Sequence, residues 1–227
     1  MTHAERDHGH DSTPAHRSPQ DYDSAEAFWE ALYAERGQRW SGRPNQRLVE
    51  VAADLPGGRA LDLGCGEGGD AVWLARNGWE VTAVDISPTA LGRLGEAAAA
   101  EGVADRIHAV QAELGDEPPR PPEGGWDLVS AQFFQSPLAL PRTAILRAAA
   151  ADIAPGGLLL VVDHGAGPPG SSHEHAEFPT VEETVAELAL PEEAWSPVRV
   201  ERATREATGP EGATVELVDN VIALCRR

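Results

Sequence analysis

The residue types best suited to chemistry crowd one short stretch, Asp62-Leu63-Gly64-Cys65-Gly66-Glu67-Gly68-Gly69, followed by a second acid, Asp85. Glycines at alternate positions let a chain turn tightly through positive φ, and they let backbone N–H groups approach a ligand that any Cβ would hold away. Asp85 falls about twenty residues beyond the first glycine, where a carboxylate can accept hydrogen bonds from both hydroxyls of a ribose. Gly64, Gly66 and Gly69 also satisfy the dinucleotide pattern GxGxxG, so the glycines alone leave the ligand class open. Asp62 argues against a pyrophosphate: a carboxylate two residues before the turn suits a ligand carrying an ammonium group and repels a phosphate at close range.

These residues need a strand, a turn, a helix and a second strand to hold them. The apolar run Ala60, Leu61, Leu63 stops too abruptly at the glycines for a helix, which predicts a strand ending there. Ala71, Val72, Leu74 and Ala75, with Asp70 in the first turn and Arg76 in the last, predict a helix over 70–76. Val81 to Val84 is the next strand, with Asp85 at its tip, and Ser87-Pro88 starts a helix through Ala97. Ile107 to Val110 is a third strand, beyond which Glu113 either serves a purine amino group or faces water.

Trp126 to Ala131 is a fourth strand that runs into Gln132, Phe133, Phe134 and Gln135, and polar groups at such a strand tip are where open α/β sheets hold ligands. A helix around 140–153 precedes the apolar strand Leu158 to Val162, whose composition requires cover on both faces. His164, just past that strand, is either a general base or substrate contact or an ordinary polar loop residue. Thr180 and Glu183 form a capping box for a helix through Leu188, and 198–206 with 215–224 read as a closing β-hairpin. At the other end, Asp23 with Glu26 predicts a capped helix over 25–36, with Phe28, Trp29, Leu32 and Tyr33 on one face.

Composition removes several functions. The 227 residues carry 37 acids against 18 bases, and a formal charge of −19 opposes phosphate-backbone binding, so no nucleic acid is expected as partner. Every base is arginine, which excludes a Schiff-base lysine and the lysine of a Walker loop. Two cysteines, Cys65 and Cys225, exclude a disulfide framework and argue against a thiolate metal site. No apolar run is long enough to cross a bilayer and no apolar signal core opens the chain, so a cytoplasmic protein without a membrane partner is expected. Residues 1–24, rich in His, acids, Ser and Pro, are expected to form a disordered polar tail, leaving 25–227 as a single domain with an N-terminal helical extension.

Taken together, Asp62 to Gly68, Asp85, Trp126-Asp127-Leu128-Val129, Pro155-Gly156-Gly157 and the closing hairpin resemble the class I S-adenosylmethionine-dependent methyltransferases. Trp40-Ser41-Gly42-Arg43-Pro44-Asn45 and the phrase GCGEGGDAVWLA are similar to the small-molecule branch that includes tellurite-resistance and thiopurine methyltransferases. The resemblance implies an α/β, Rossmann-like, doubly wound seven-stranded sheet of order 3-2-1-4-5-7-6 with strand 7 antiparallel and helices on both faces. It implies S-adenosylmethionine as cofactor and a small-molecule methyl acceptor. By position it places Asp62, Gly64, Cys65 and Gly66 against the cofactor, Asp85 on its ribose, Ile86 on the adenine face, Glu113 and Leu114 near the adenine edge, and Ala131 and Gln132 near the methionine end. His164 is the first candidate base, with His173 and His175 next, and Trp40, Phe133, Phe134 and the 163–178 loop are expected to form the acceptor pocket. Two other readings stay open: a protein that binds the cofactor without transferring anything, and an NAD-dependent oxidoreductase.

Overall fold

The computed structural model describes residues 18–35, 37–115, 119–167, 177–208 and 214–227. Seven strands form one sheet: β1 (Arg59–Leu63), β2 (Glu80–Asp85), β3 (Ile107–Gln111), β4 (Trp126–Gln132), β5 (Ile153–His164), β6 (Trp195–Thr208) and β7 (Thr214–Arg226). Their order is β3-β2-β1-β4-β5-β7-β6, with β7 antiparallel to both of its neighbours and the pairs from β3 to β5 parallel. The expected topology is therefore the observed one. Reversal of order beside β1 opens a crevice at the carboxyl ends of β1 and β4, where open α/β sheets bind ligands.

Six α-helices are described: α1 (Ala25–Ala34), α2 (Gln46–Ala52), α3 (Gly69–Arg76), α4 (Pro88–Ala100), α5 (Arg142–Ala151) and α6 (Val181–Leu188). The sheet buries apolar side chains on both faces, and alternation along each strand sends them to two separate cores. One core joins Leu61, Leu63, Val129, Leu159 and Val161 to Ile145 and Leu146 of α5 and Leu188 of α6. The other joins Ala60, Leu128, Leu160 and Val162 to Leu48 of α2, Leu74 of α3 and Leu94 of α4.

Helix starts follow side-chain chemistry. Ser87 Oγ accepts from Ala90 N at 3.1 Å ahead of α4, and Thr180 with Glu183 makes the expected capping box ahead of α6. The cap of α1 differs from expectation: Ser24, not Asp23, accepts from Ala27 N at 3.1 Å. Residues 18–24 also carry more structure than a polar tail implies. A 3-10 turn spans Pro19–Asp21, and the Tyr22 ring meets Phe28 edge-on at 5.4 Å. Residues 1–17, including His3, His8, His10 and His16, and the tip of the hairpin at 209–213 lie outside the described residues.

Candidate active site

β1 delivers Asp62 to the sheet interior and ends at the glycine turn. Gly64 and Gly66 adopt φ of 68° and 53°, the left-handed region that favours glycine. A Cβ on Gly64 would lie 2.8 Å from the Phe134 ring, and one on Gly66 would lie 2.9 Å from the Tyr33 hydroxyl. The turn is bare so that these groups can flank it closely. Asp85 stitches it to β2: one carboxylate oxygen accepts from Gly66 N and the other from Ser87 N, each at 2.9 Å. Each oxygen retains a second lone pair for a ligand hydroxyl. Cys65 donates its backbone N–H to Val84 O at 2.9 Å, and its side chain packs against the α2–α4 core.

The electrostatics beneath the turn are those of a site short of positive charge. Asp62 is buried and its Oδ2 has no hydrogen-bond partner. Burial pushes its carboxyl well above the ordinary range, and the neighbouring Asp70 and Asp85 push it further. Burial raises Asp70 to about 6, against the opposing pull of the Asn45 N–H. Burial likewise raises Asp85, opposed by its backbone donors, and lifts the Cys65 thiol with help from Asp62. None of these three carboxylates makes an ion pair among the described residues. A positive charge at Asp62 would offset its desolvation and the repulsion from Asp70 and Asp85.

A strap formed by residues 38–45 crosses the turn, and two acids tie it down. Glu67 accepts from Arg39 N at 2.9 and 3.0 Å and from Trp40 N at 2.7 Å, while Arg93 pairs with it at 2.6 Å. Burial would raise Glu67, but these donors outweigh it and hold the carboxyl below its usual value. Asp70 accepts from Asn45 N at 2.5 Å. Trp40 rests its indole N–H on the Tyr33 hydroxyl at 3.3 Å and remains 56% exposed at the mouth of the crevice. Burial, followed by the charge of Asp85, raises the Tyr33 phenol, which keeps it a neutral hydroxyl. Glu30 of α1 braces the next turn by accepting from Ser87 Oγ at 2.6 Å and Thr89 N at 3.1 Å.

On the other side of the crevice, Ala131 is buried and Gln132 donates to Ser130 Oγ at 3.0 Å, leaving its own Oε1 buried without a partner. Phe133 and Phe134 then part company. Phe133 takes φ of 50°, fixed by its N–H to Val162 O at 2.7 Å, and packs on the α2–α4 face. Phe134 packs on the α5 face over Gly64. The two rings therefore cannot line one wall, which corrects the expected pocket. His164 stacks on Phe133 at 4.4 Å and meets Phe178 edge-on at 5.9 Å. Burial lowers its pKa, with Asp219 opposing and Arg205 assisting, so the imidazole is neutral near pH 7.

At the far edge of the crevice Leu114 is buried, Glu113 is exposed, and the Ile86 carbonyl accepts from Gln111 Nε2 at 3.4 Å. His173 and His175 lie outside the described residues. Glu67 and Asp70 are site residues that the motif reading passes over. The only sequence signal for Glu67 is a charged residue set between glycines of a turn, where a side chain has to project outward.

Comparison with known proteins gives a family. Residues 33–198 match the family described as "Methyltransferase domain". The chain is 35% identical over 119 residues to the ubiquinone biosynthesis O-methyltransferase of Xanthomonas campestris pv. campestris, covering 51% of this chain and 47% of that protein. It thus spans about half the length of that curated relative. Among solved structures it is similar to TehB from Haemophilus influenzae, with TM-score 0.63, 17% identity, and 89% of this chain and 67% of that one covered. A SAM-dependent methyltransferase from Geobacter sulfurreducens, solved in complex with S-adenosyl-L-homocysteine, aligns with TM-score 0.58 and 17% identity over 88% of this chain and 98% of that one. These two structural likenesses are likenesses of fold.

Proposed function

Because the chain belongs to the methyltransferase-domain family, we propose that it is an S-adenosylmethionine-dependent methyltransferase acting on a small-molecule acceptor, with the glycine turn as the cofactor seat. The observation that carries this is the buried, unpartnered Asp62 Oδ2 in an acid-rich pocket under the turn. Such a pocket rejects a pyrophosphate and accepts a ligand with an ammonium and a sulfonium, so the residues fit the cofactor and disfavour NAD. Asp62 takes the ammonium, Gly64, Cys65 and Gly66 form the floor, and Asp85 accepts from the ribose hydroxyls. Ile86, Glu113 and Leu114 border the adenine, while Ala131 and Gln132 border the methionine end, where the free Gln132 Oε1 awaits a donor.

Bound there, S-adenosylmethionine supplies a methyl group on an excellent leaving group, open to in-line attack by a nucleophile. What the chain must add is position and dryness, which together are worth roughly 7–11 kcal/mol in favourable cases. The strap, Tyr33 and Phe134 exclude water from the turn, and the β4 tip holds the acceptor. His164, neutral and beside Phe133, accepts the proton that an acceptor hydroxyl or amine gives up.

A small-molecule acceptor agrees with the net charge of −19 and with the name of the O-methyltransferase relative. No helix of the described residues is long and apolar enough to cross a membrane. A cytoplasmic location is part of the same proposal, and the unpaired Cys65 and Cys225 agree with it. The test is release of S-adenosylhomocysteine when the chain and S-adenosylmethionine meet a panel of O-, N- and S-nucleophiles. Release that depends on a small molecule is expected. Tight cofactor binding with no release across the panel would instead identify a non-catalytic binder.

A further inference from the structure

One wall of the crevice is built from residues that the cofactor seat does not use. In antiparallel strands, residues directly opposite one another share a face, and His164 of β5 is paired with Asp219 of β7 in this way. Asp219 is fully buried, and its Oδ2 accepts from two guanidinium groups, Arg47 Nε at 3.1 Å and Arg205 Nε at 2.8 Å. Arg47 is anchored a second time by Glu50 and by the Thr204 carbonyl, at 2.9 and 2.7 Å. Arg205 is not. Its guanidinium lies 5.9 Å from the Phe133 ring centroid, and its terminal nitrogens make no hydrogen bond among the described residues.

The arrangement is expensive to keep. Arg47 alone already pairs Asp219, and a second cation in the same place adds a desolvation cost. Phe133 holds a left-handed backbone that costs an L-residue about 1–2 kcal/mol, a kind of strain that tends to persist where a site depends on it. What results is a group of aromatic rings, Phe133, His164 and Phe178, joined by one oriented guanidinium with free donors, in a chain whose net charge is −19. Aromatic rings favour a flat apolar body, and a guanidinium fork matches a carboxylate.

We propose that this wall selects the methyl acceptor: an aromatic molecule bearing an anionic group, its ring against Phe133, His164 and Phe178 and its anion on Arg205, with Asp219 as the positioning residue for that arginine. The inference rests on the methyltransferase reading only in calling the bound molecule an acceptor.

The test is calorimetric titration of the full chain, with and without S-adenosylhomocysteine, using 3,4-dihydroxybenzoate as the anionic probe and catechol as its neutral counterpart. The anionic probe is expected to bind at least ~10-fold more tightly, the worth of one hydrogen bond to a charged group. Arg205→Gln should abolish that preference and Arg205→Lys should keep part of it, with affinity for S-adenosylhomocysteine unchanged in both. If Arg205→Gln alone does not fold, Arg205→Met, which keeps the packing of the aliphatic stem and leaves Asp219 paired to Arg47, should show the same loss. Equal binding of the two probes, binding of neither, or a preference that survives Arg205→Gln would each overturn the proposal. Failure of S-adenosylhomocysteine to bind, with the probe preference intact, would instead overturn the methyltransferase reading and leave the wall standing.

Discussion

Asp62, Asp70 and Asp85 make the proposed cofactor seat unfavourable to leave empty of positive charge, and that has a consequence for stability. Asp70 rises from 3.8 to about 6 through burial, opposed by the Asn45 N–H, so the folded chain binds its proton more tightly than the unfolded chain does. Its contribution is therefore largest below pH 4, falls as pH rises from about 4 to about 6, and is flat above that. Asp62 and Asp85 shift in the same direction. Asp70→Asn, which keeps an acceptor for Asn45, should raise the melting temperature at pH 7 and flatten its dependence between pH 4 and 6. Scanning calorimetry of the two proteins across that range checks it. His164, the proposed base, works with the opposite sign: it would act when neutral, and because burial lowers its pKa the acid limb of kcat/KM should fall below 6.5. His164→Asn should remove that limb and lower kcat by about 100-fold or more, while leaving cofactor affinity alone. At this scale the motif residues Asp62, Gly64, Gly66 and Asp85 are legible because each answers a local demand of the turn. Glu67 and Asp219 are not, since their partners lie 26 to 28 residues away for Glu67 and 172 for the Arg47–Asp219 pair.

The strap and the β4 tip are the elements on which the site depends. Glu67 holds two backbone N–H groups and the Arg93 guanidinium, and loss of its carboxylate would take the acceptor from the Arg39 and Trp40 amides. Glu67→Ala should cost about 1–3 kcal/mol for each group left buried and unpaired. Faster hydrogen exchange at the Arg39 and Trp40 amides, with α5 and α6 unaffected, would show that the damage is confined to the strap. At β4, Arg142 clamps the element that follows: its Nε donates to the Phe134 carbonyl at 2.8 Å and its Nη2 pairs with the buried Asp163 at 2.6 Å. Burial raises Asp163 while Arg142 pulls it down, so Arg142→Ala leaves a buried carboxylate alone and should destabilise by about 3–5 kcal/mol in urea titration. Most elements could be read from apolar periodicity, and α3, β2 and α6 begin and end within a residue or so of expectation. Alternation along β4 would send Phe133 to the face of Val129 and Ala131 and Phe134 to that of Leu128, and the rings lie the other way round because the left-handed Phe133 breaks the alternation. The positive φ of Phe133 was not legible, since nothing local favours it and only its hydrogen bond to Val162 and its packing hold it there.

At the scale of the whole molecule, the topology brings together a turn after β1, the acid that ends β2, a polar tip at β4 and the histidine that ends β5 on the carboxyl side of one sheet. The strand order was legible because five short motifs occurred in one sequence order; no single one of them fixes a sheet. The acceptor wall was not legible, because it joins α2, β4, β5, β6 and β7 through the side chains of Arg47, Phe133, His164, Arg205 and Asp219, and only folding puts those in register. The same assembly makes a global readout of the cofactor seat possible, since a ligand that binds only the folded chain at ~100 times its dissociation constant adds about 2.7 kcal/mol to stability. The most direct test of the account is therefore equilibrium titration of the chain with S-adenosylmethionine, S-adenosylhomocysteine and NAD, repeated with Asp62→Asn. Binding of the first two, no binding of NAD, and about 10-fold or greater weakening in the variant is the expected result; binding of NAD alone, or S-adenosylmethionine binding untouched by Asp62→Asn, would contradict it.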